Sequence, residues 1–213
     1  SILGLLIDGF IKALSPVMKD DSAAGHYGDS MVFILHGLDH RNNSPFIAVE
    51  PTPGGWGAWK TGDGADALIN NVNGAFKDIP IEIYENKYPV TINNYGLRKD
   101  TGGPGFMRGG CGLYKEYTVN TDLNLSLWFE RSKTTGWGLF GGKNGKGPNV
   151  NLKFPDGREE NKLKSNSYPV CKGTIITTYT GGGGGFGNPY KRNSVNVSED
   201  VINGYVSKEN TKK

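Results

Sequence analysis

Glycine constrains this chain before any other feature does. It fills 33 of 213 positions, roughly twice ordinary usage. Three stretches stand out: TGGPGFMRGGCG (101–112), GWGLFGGKNGKG (136–147) and GGGGGFGNP (181–189). They have no G-X-Y period, which excludes a collagen triple helix. Phosphate cradling by backbone N–H groups fails on spacing. A P-loop needs G-x-x-x-x-G-K-[ST], and neither Lys143 nor Lys146 is followed by a hydroxyl residue. A dinucleotide fingerprint needs G-x-G-x-x-G between a strand and a helix. The five-glycine run does follow a strand candidate, but Asn188-Pro189 and a further loop come next. Turns and close backbone packing are the expectation for each cluster, with the lining of a substrate or partner surface as the alternative.

The rest of the composition is that of a folded chain: 36% hydrophobic and 21% charged. The length suffices to bury a sizeable core without staples. A net charge of +3 is too small an excess to argue for nucleic acid or a membrane surface as partner. The longest apolar run, ILGLLI, falls far short of the roughly 20 residues a membrane span needs. The first residues lack the charged region and cleavage site of a secretion signal, so a cytoplasmic chain is expected. Two cysteines exclude a disulfide scaffold and a four-Cys zinc site. Cys111 in GGCGL and Cys171 in PVCKG both read as buried small hydrophobes in a reducing compartment.

Apolar spacing predicts a helix over 2–14, with Leu3, Leu6, Ile7, Phe10, Ile11 and Leu14 on one buried face. Ser1 is its candidate cap and Pro16 its stop. Its largely apolar surface calls for a partner, in this chain or outside it. Beyond it the pattern turns to strands: 31–38, 45–50, 79–97, 113–119, 123–131, 150–154 and 173–180. In 79–97, Ile79, Ile81 and Ile83 point one way and Glu82 and Tyr84 the other. The HRNN segment reads as a hairpin loop. SEDVINGYVS (198–207) reads as a short helix capped by Ser198, followed by a frayed tail. There is no internal repeat and no linker. The expected class is α+β, rich in β, with short, mostly antiparallel strands, Gly-rich loops, an N-terminal helix and a short C-terminal one.

The pattern of motifs then points to a family. The segment GGGGGFGNPYKRNSVNVSEDVINGYVS (181–207) resembles the C-terminal signature of hydantoinase B / 5-oxoprolinase B-type subunits. Four further segments resemble that family's motifs in order: GGWGAWKTGDGADA (54–67), IPIEIYENKYPV (79–90), DTGGPGFMRGGCG (100–112) and GWGLFGGKNGKGPN (136–149). The resemblance covers most of the chain but only the C-terminal part of such subunits. It implies that residues 1–213 form one region of a longer B-type subunit. The N-terminal part, where a motif resembling N-D-P-Y-x-G-G-T-H-x-x-D would hold a divalent metal, has no counterpart here. The resemblance also implies an A-type partner subunit that binds ATP with Mg. The implied activity is ATP-dependent opening of cyclic amides such as 5-oxoproline, hydantoins or lactams. Relatives that carboxylate acetone or acetophenone give an alternative, and a non-catalytic structural subunit a second one. A free-standing β-rich binding module is disfavoured by the apolar helix. The isolated chain is expected to be inactive.

Five residues are candidates for a site. Glu82, Glu85 and Arg108 are the catalytic candidates; His26 and Asp63 are the substrate-binding ones. Glu82 and Glu85 lie three apart, on opposite faces of a regular strand, so a joint acid–base role needs a bulge. Glu82, alternating with three Ile, is the one expected to be buried. Arg108, in a Gly-rich loop, could clamp a carboxylate or phosphate with its fork, or form a salt bridge to Asp100 or Asp63. Asp63 could cap a turn or bind a cation. His26 in AAGHYG could meet substrate as a neutral imidazole. His36 and His40 share no helical face and lack the HExxH pattern, so no metal site and no cofactor site is expected on this chain. The tryptophans read as core or interface residues.

Overall fold

The computed structural model describes residues 2–28, 30–73 and 76–212. The alternating segments form two antiparallel sheets. The first has the order β2-β1-β5-β8, built from β1 (Val32–Asp39), β2 (Ser44–Glu50), β5 (Leu123–Trp128) and β8 (Lys164–Val170). The second runs β3-β4-β9-β6-β7, from β3 (Val90–Arg98), β4 (Gly112–Val119), β6 (Asn149–Lys153), β7 (Glu159–Asn161) and β9 (Ile175–Tyr179). Phe33 and Leu35 of β1, Leu125 and Leu127 of β5, Tyr117 of β4, Leu152 of β6 and Ile176 of β9 belong to one buried cluster, so the sheets pack face to face. Phe33 and Tyr117 stack across that interface with ring centroids 4.8 Å apart. Strands β7 and β8 were not anticipated. Their small, polar and charged residues carry little alternation, and they sit at sheet edges.

The segment 79–97 departs from expectation. Residues Ile81–Lys87 form helix α2, and β3 follows it. The Ile/Glu alternation hides a different spacing: Tyr84 and Tyr88 are both buried, four apart, as one helical face requires. Their rings meet edge-on at 4.9 Å. Glu82 is consequently exposed, not buried. The C-terminal helix, α3, spans Ser194–Ile202. Asn193 caps it, accepting from the Val195 N–H at 2.9 Å. Ser198 therefore sits mid-helix, donating to the Ser194 carbonyl. The tail is ordered into a 3₁₀ turn over Lys208–Lys212. The N-terminal helix, α1 (Ile2–Met18), runs through Pro16. Proline lacks the N–H that would serve the Lys12 carbonyl, and the Ser15 hydroxyl serves it instead at 2.8 Å. The proposed cap Ser1 lies outside the described residues. Among the described residues no helix is long and apolar enough to cross a membrane.

The three glycine clusters converge on one another. The run Gly181–Gly187 threads through a ring of other segments and bonds to them in rotation. Gly182 and Gly185 donate to the carbonyls of Lys146 and Lys143. Gly183 and Phe186 donate to those of Gly110 and Met107, and Gly184 to that of Gly25. A three-residue period is that of an extended helix without internal hydrogen bonds, whose N–H groups point outward in three directions. None of Gly181–Gly185 has a positive φ, so turning is not what selects glycine there. Space is. A Cβ on Gly183 would lie 1.9 Å from the Trp56 carbonyl oxygen, and one on Gly184 1.9 Å from that of Trp137. Ala24, Ala58, Trp137, Leu139 and Phe186 close an apolar cluster against this core.

Two outcomes follow. Gly183→Ala is expected to destabilise the chain by 3 kcal/mol or more, at or above the upper end of the ~1–3 kcal/mol typical of overpacking, because rigid backbone surrounds the site. Gly9→Ala on exposed α1, where no atom lies within 4 Å of the new Cβ, should instead stabilise by about 0.5–1 kcal/mol. Urea unfolding of the two variants measures both. The cysteines differ as well. Cys111 is fully buried, and burial pushes its thiol pKa up, whereas Cys171 is exposed, contrary to the sequence reading. Iodoacetamide should label Cys171 and spare Cys111 in the native protein.

Candidate functional site

Three of the motif segments meet at a network of charges. Arg108 leaves the Gly-rich loop with its side chain almost wholly buried. Its Nη1 reaches Asp66 Oδ1 at 3.1 Å and its Nε reaches Asp200 Oδ1 at 3.2 Å. Its guanidinium lies over the Tyr205 ring, 4.5 Å from the centroid. Its own backbone N–H donates to Asp63 Oδ1 at 2.6 Å. Arg192 takes both oxygens of Asp63 in a fork, Nη1 to Oδ1 at 2.8 Å and Nη2 to Oδ2 at 2.7 Å. It also donates to Asp200 Oδ2 from Nε at 2.9 Å. Two guanidiniums thus bridge three carboxylates from loops 63–66 and helix α3. The Gly-rich loop positions Arg108 because its backbone is pinned on both sides: the Arg108 carbonyl accepts from Gly64 and Gly109 donates to Gly103.

The environment pulls the carboxylates apart. Burial raises the Asp63 pKa, but the Arg192 fork, the Arg108 N–H and both positive charges outweigh it and hold the group below the ordinary value. At Asp200 burial wins over the same two arginines, and its pKa is raised. A cleft of about 290 Å³ opens beside this network, between the glycine core and the C-terminal segment. Arg108, Arg192 and Asp200 form its floor, with Asp100, Lys146 and Asn144 among its walls. The Asp100 carboxylate accepts from the Ser207 N–H at 2.8 Å, which ties the tail after α3 to the same loop.

The five residues nominated from the sequence fall in three places. Arg108 and Asp63 come together, as the salt-bridge reading of Arg108 anticipated; its other suggested partner, Asp100, makes no ion pair with it. Glu82 and Glu85 stand on α2, outside the cleft. Glu85 accepts from the Ile92 N–H at 2.6 Å, and its backbone carbonyl accepts from Arg41. His26 lies buried beneath α1, its Nδ1 accepting from the Gly28 N–H at 2.7 Å. Burial lowers its pKa, against the pull of Asp8, so it is neutral at pH 7. Sequence reasoning missed Asp66, Arg192 and Asp200, although all three lie in the recognised motifs. An arginine and carboxylates inside glycine-rich surroundings were the available signal. It also missed a polar cluster in the sheet core, where the Lys115 ammonium pairs with Glu50 and Tyr117 donates to the same carboxylate at 2.9 Å.

No three His, Cys, Asp or Glu side chains among the described residues come together to hold a metal ion. The N–H groups of Gly182–Gly185 are all spent on carbonyls, leaving no phosphate cradle in that run. What the arrangement offers is a rigid, charged wall. Its stability should depend on pH through Asp63. A depressed carboxylate contributes stability that is complete above its unfolded pKa and is lost as pH falls through the folded one. Asp63→Asn is expected to cost about 2 kcal/mol at neutral pH, since the carboxylate is partly exposed. The difference in Tm between wild type and variant should narrow below about pH 4. Thermal melts across that range measure it.

Comparison with known proteins places this architecture. A 5-oxoprolinase (5-oxoprolinase 1) of Arabidopsis thaliana is 36% identical over 65% of this chain, which covers 11% of that protein. The crystal structure of an ATP-dependent caprolactamase from Pseudomonas jessenii superposes with a TM-score of 0.83 at 29% identity, over 94% of this chain and 36% of that one. A nucleotide-free acetone carboxylase shares the fold with a TM-score of 0.72 at 19% identity, over 87% of this chain and 30% of that one. The chain therefore spans about a third of these structures' chains and about a tenth of the plant relative. The family model for hydantoinase B/oxoprolinase matches residues 1–189. On that match, and on a fold that unites the family's glycine-rich motifs in one core, the chain belongs to the hydantoinase B/oxoprolinase family.

Proposed function

We propose that this chain is the glycine-cored portion of the B-type component of an ATP-dependent multi-subunit enzyme that opens cyclic amides of the 5-oxoproline, hydantoin or lactam kind. The observation that carries this reading is the likeness to the caprolactamase over 94% of the chain. The partners are an A-type subunit, which binds ATP with Mg, and the remainder of the B-type polypeptide, which holds a divalent metal. The compartment is the cytoplasm. ATP supplies phosphoryl activation of an amide that is otherwise a poor electrophile. This chain's residues hold and orient. The Arg108–Asp63–Arg192–Asp200 network fixes the glycine loop 102–110 against α3 and shapes the cleft beside it. Arg108 and Asp63 act through that geometry, and Glu82 and Glu85 are carboxylates that α2 offers to the assembled enzyme.

The test uses the assembled complex with ATP and 5-oxoproline, hydantoin or caprolactam, and with acetone plus bicarbonate as a competing substrate because the fold is shared with an acetone carboxylase. Arg108→Ala is expected to lower kcat for ring opening more than tenfold while the subunits still co-purify. Glu82→Ala, made in parallel, reports on α2. Full activity in both variants would leave the chain a structural subunit and overturn a catalytic part for it. Turnover of acetone alone would overturn the amide reading.

A further inference from the structure

Helix α1 is packed inside out. The face it turns to the body is polar and small: Gly4, Asp8 and Ser15 are its buried residues. Leu6, Phe10 and Val17 lie outward, Phe10 67% and Val17 81% exposed. An amphipathic helix on a finished domain does the reverse. The cause is an anchor. Asp8 accepts from Arg131 and, at 2.8 Å, from the Trp137 indole N–H, with the His26 N–H at 3.4 Å. The Asp8 and Arg131 side chains are 3% and 9% exposed, so rotating the apolar stripe inward would strand a buried charge.

The outer face of the first sheet has the same character. Ile34 lies opposite Val49, and Val32 opposite Trp128, with Ile47 beside them on β2. Val49, Ile47 and Trp128 are each more than half exposed. A solvent-facing side of an antiparallel sheet would normally be polar. Arg131, three residues beyond Trp128, is the group that grips α1, so the end of β5 and the helix are tied together.

We propose that the outward stripe of α1 and the outer face of this sheet are the seat of the remainder of a B-type polypeptide, whether joined to this chain or a separate subunit. This rests on the functional reading above. Two observations select that occupant. The family match begins at residue 1, so α1 is a family element. The caprolactamase shares nearly all of this chain, yet that portion is only 36% of its own chain, which leaves close to two thirds of a B-type polypeptide to cover the apolar faces.

A photo-crosslinking residue at position 10, and separately at position 47, tests this in the assembled complex. Both should crosslink to peptides of the B-type remainder. The double variant Leu6→Ser/Phe10→Ser should reduce the fraction of chain retained in the complex at least tenfold. The circular dichroism and melting of the isolated chain should stay unchanged, because these side chains are already in water there. Crosslinks to a second copy, or to the ATP-binding subunit, or to nothing, would overturn the assignment while leaving ATP-dependent ring opening intact. Crosslinks as expected in a complex that opens no cyclic amide would instead overturn the functional reading alone.

Discussion

Backbone touching backbone is the constraint on which this structure depends. In the glycine core, carbonyl oxygens occupy the volume that a side chain would need. The Cβ of a residue at Gly55, Gly57 or Gly109 would fall about 2 Å from an oxygen of a neighbouring segment. Such an approach buries many N–H and C=O groups away from water, and each must find a partner. The rotating three-residue pattern of Gly182–Phe186 provides those partners from several segments in turn. The core is thus a solution to hydrogen-bond satisfaction without a sheet. Its rigidity comes from having no soft side chains that could yield.

The charged network inherits that rigidity. Loops 63–66 and 102–110 are pinned by the core, so Asp63, Asp66 and Arg108 are presented at fixed positions, and α3 brings Asp200, with Arg192 just ahead of it, to meet them. Arginine suits this place because its fork can serve two carboxylates at once. Asp63 and Asp200 share the same two arginines, yet their pKa values move in opposite directions. Asp63 gains the full fork plus a backbone N–H, and at Asp200 desolvation prevails. The cleft beside them is accordingly a wall of fixed charge.

Much of the fold was legible because alternation over 4–8 residues is a direct consequence of strand geometry. Strands β1, β2, β4, β6 and β9 lie close to where the pattern puts them. Helix α2 was not legible, since Ile79, Ile81 and Ile83 mimic a strand while the pair that decides burial, Tyr84 and Tyr88, is spaced for a helix. Of the site, the placement of Arg108 against Asp63 was anticipated as one of its options. Arg192 and Asp200 were recognised only as motif letters. Their pairing joins residues up to 129 positions apart, and local pattern carries no information about such distances.

By itself the sequence determined the class of the fold, the membership carried by five ordered motifs, and the need for residues without side chains at three places. Those follow from periodicity and from the chemistry of glycine, which act locally. Tertiary structure alone decided what the glycines are for. It also decided which charges meet, and which way the first helix faces. Periodicity marks an apolar stripe but has no sign; the buried Asp8–Arg131 pair, linking residues 123 apart, fixes the direction and turns that stripe outward.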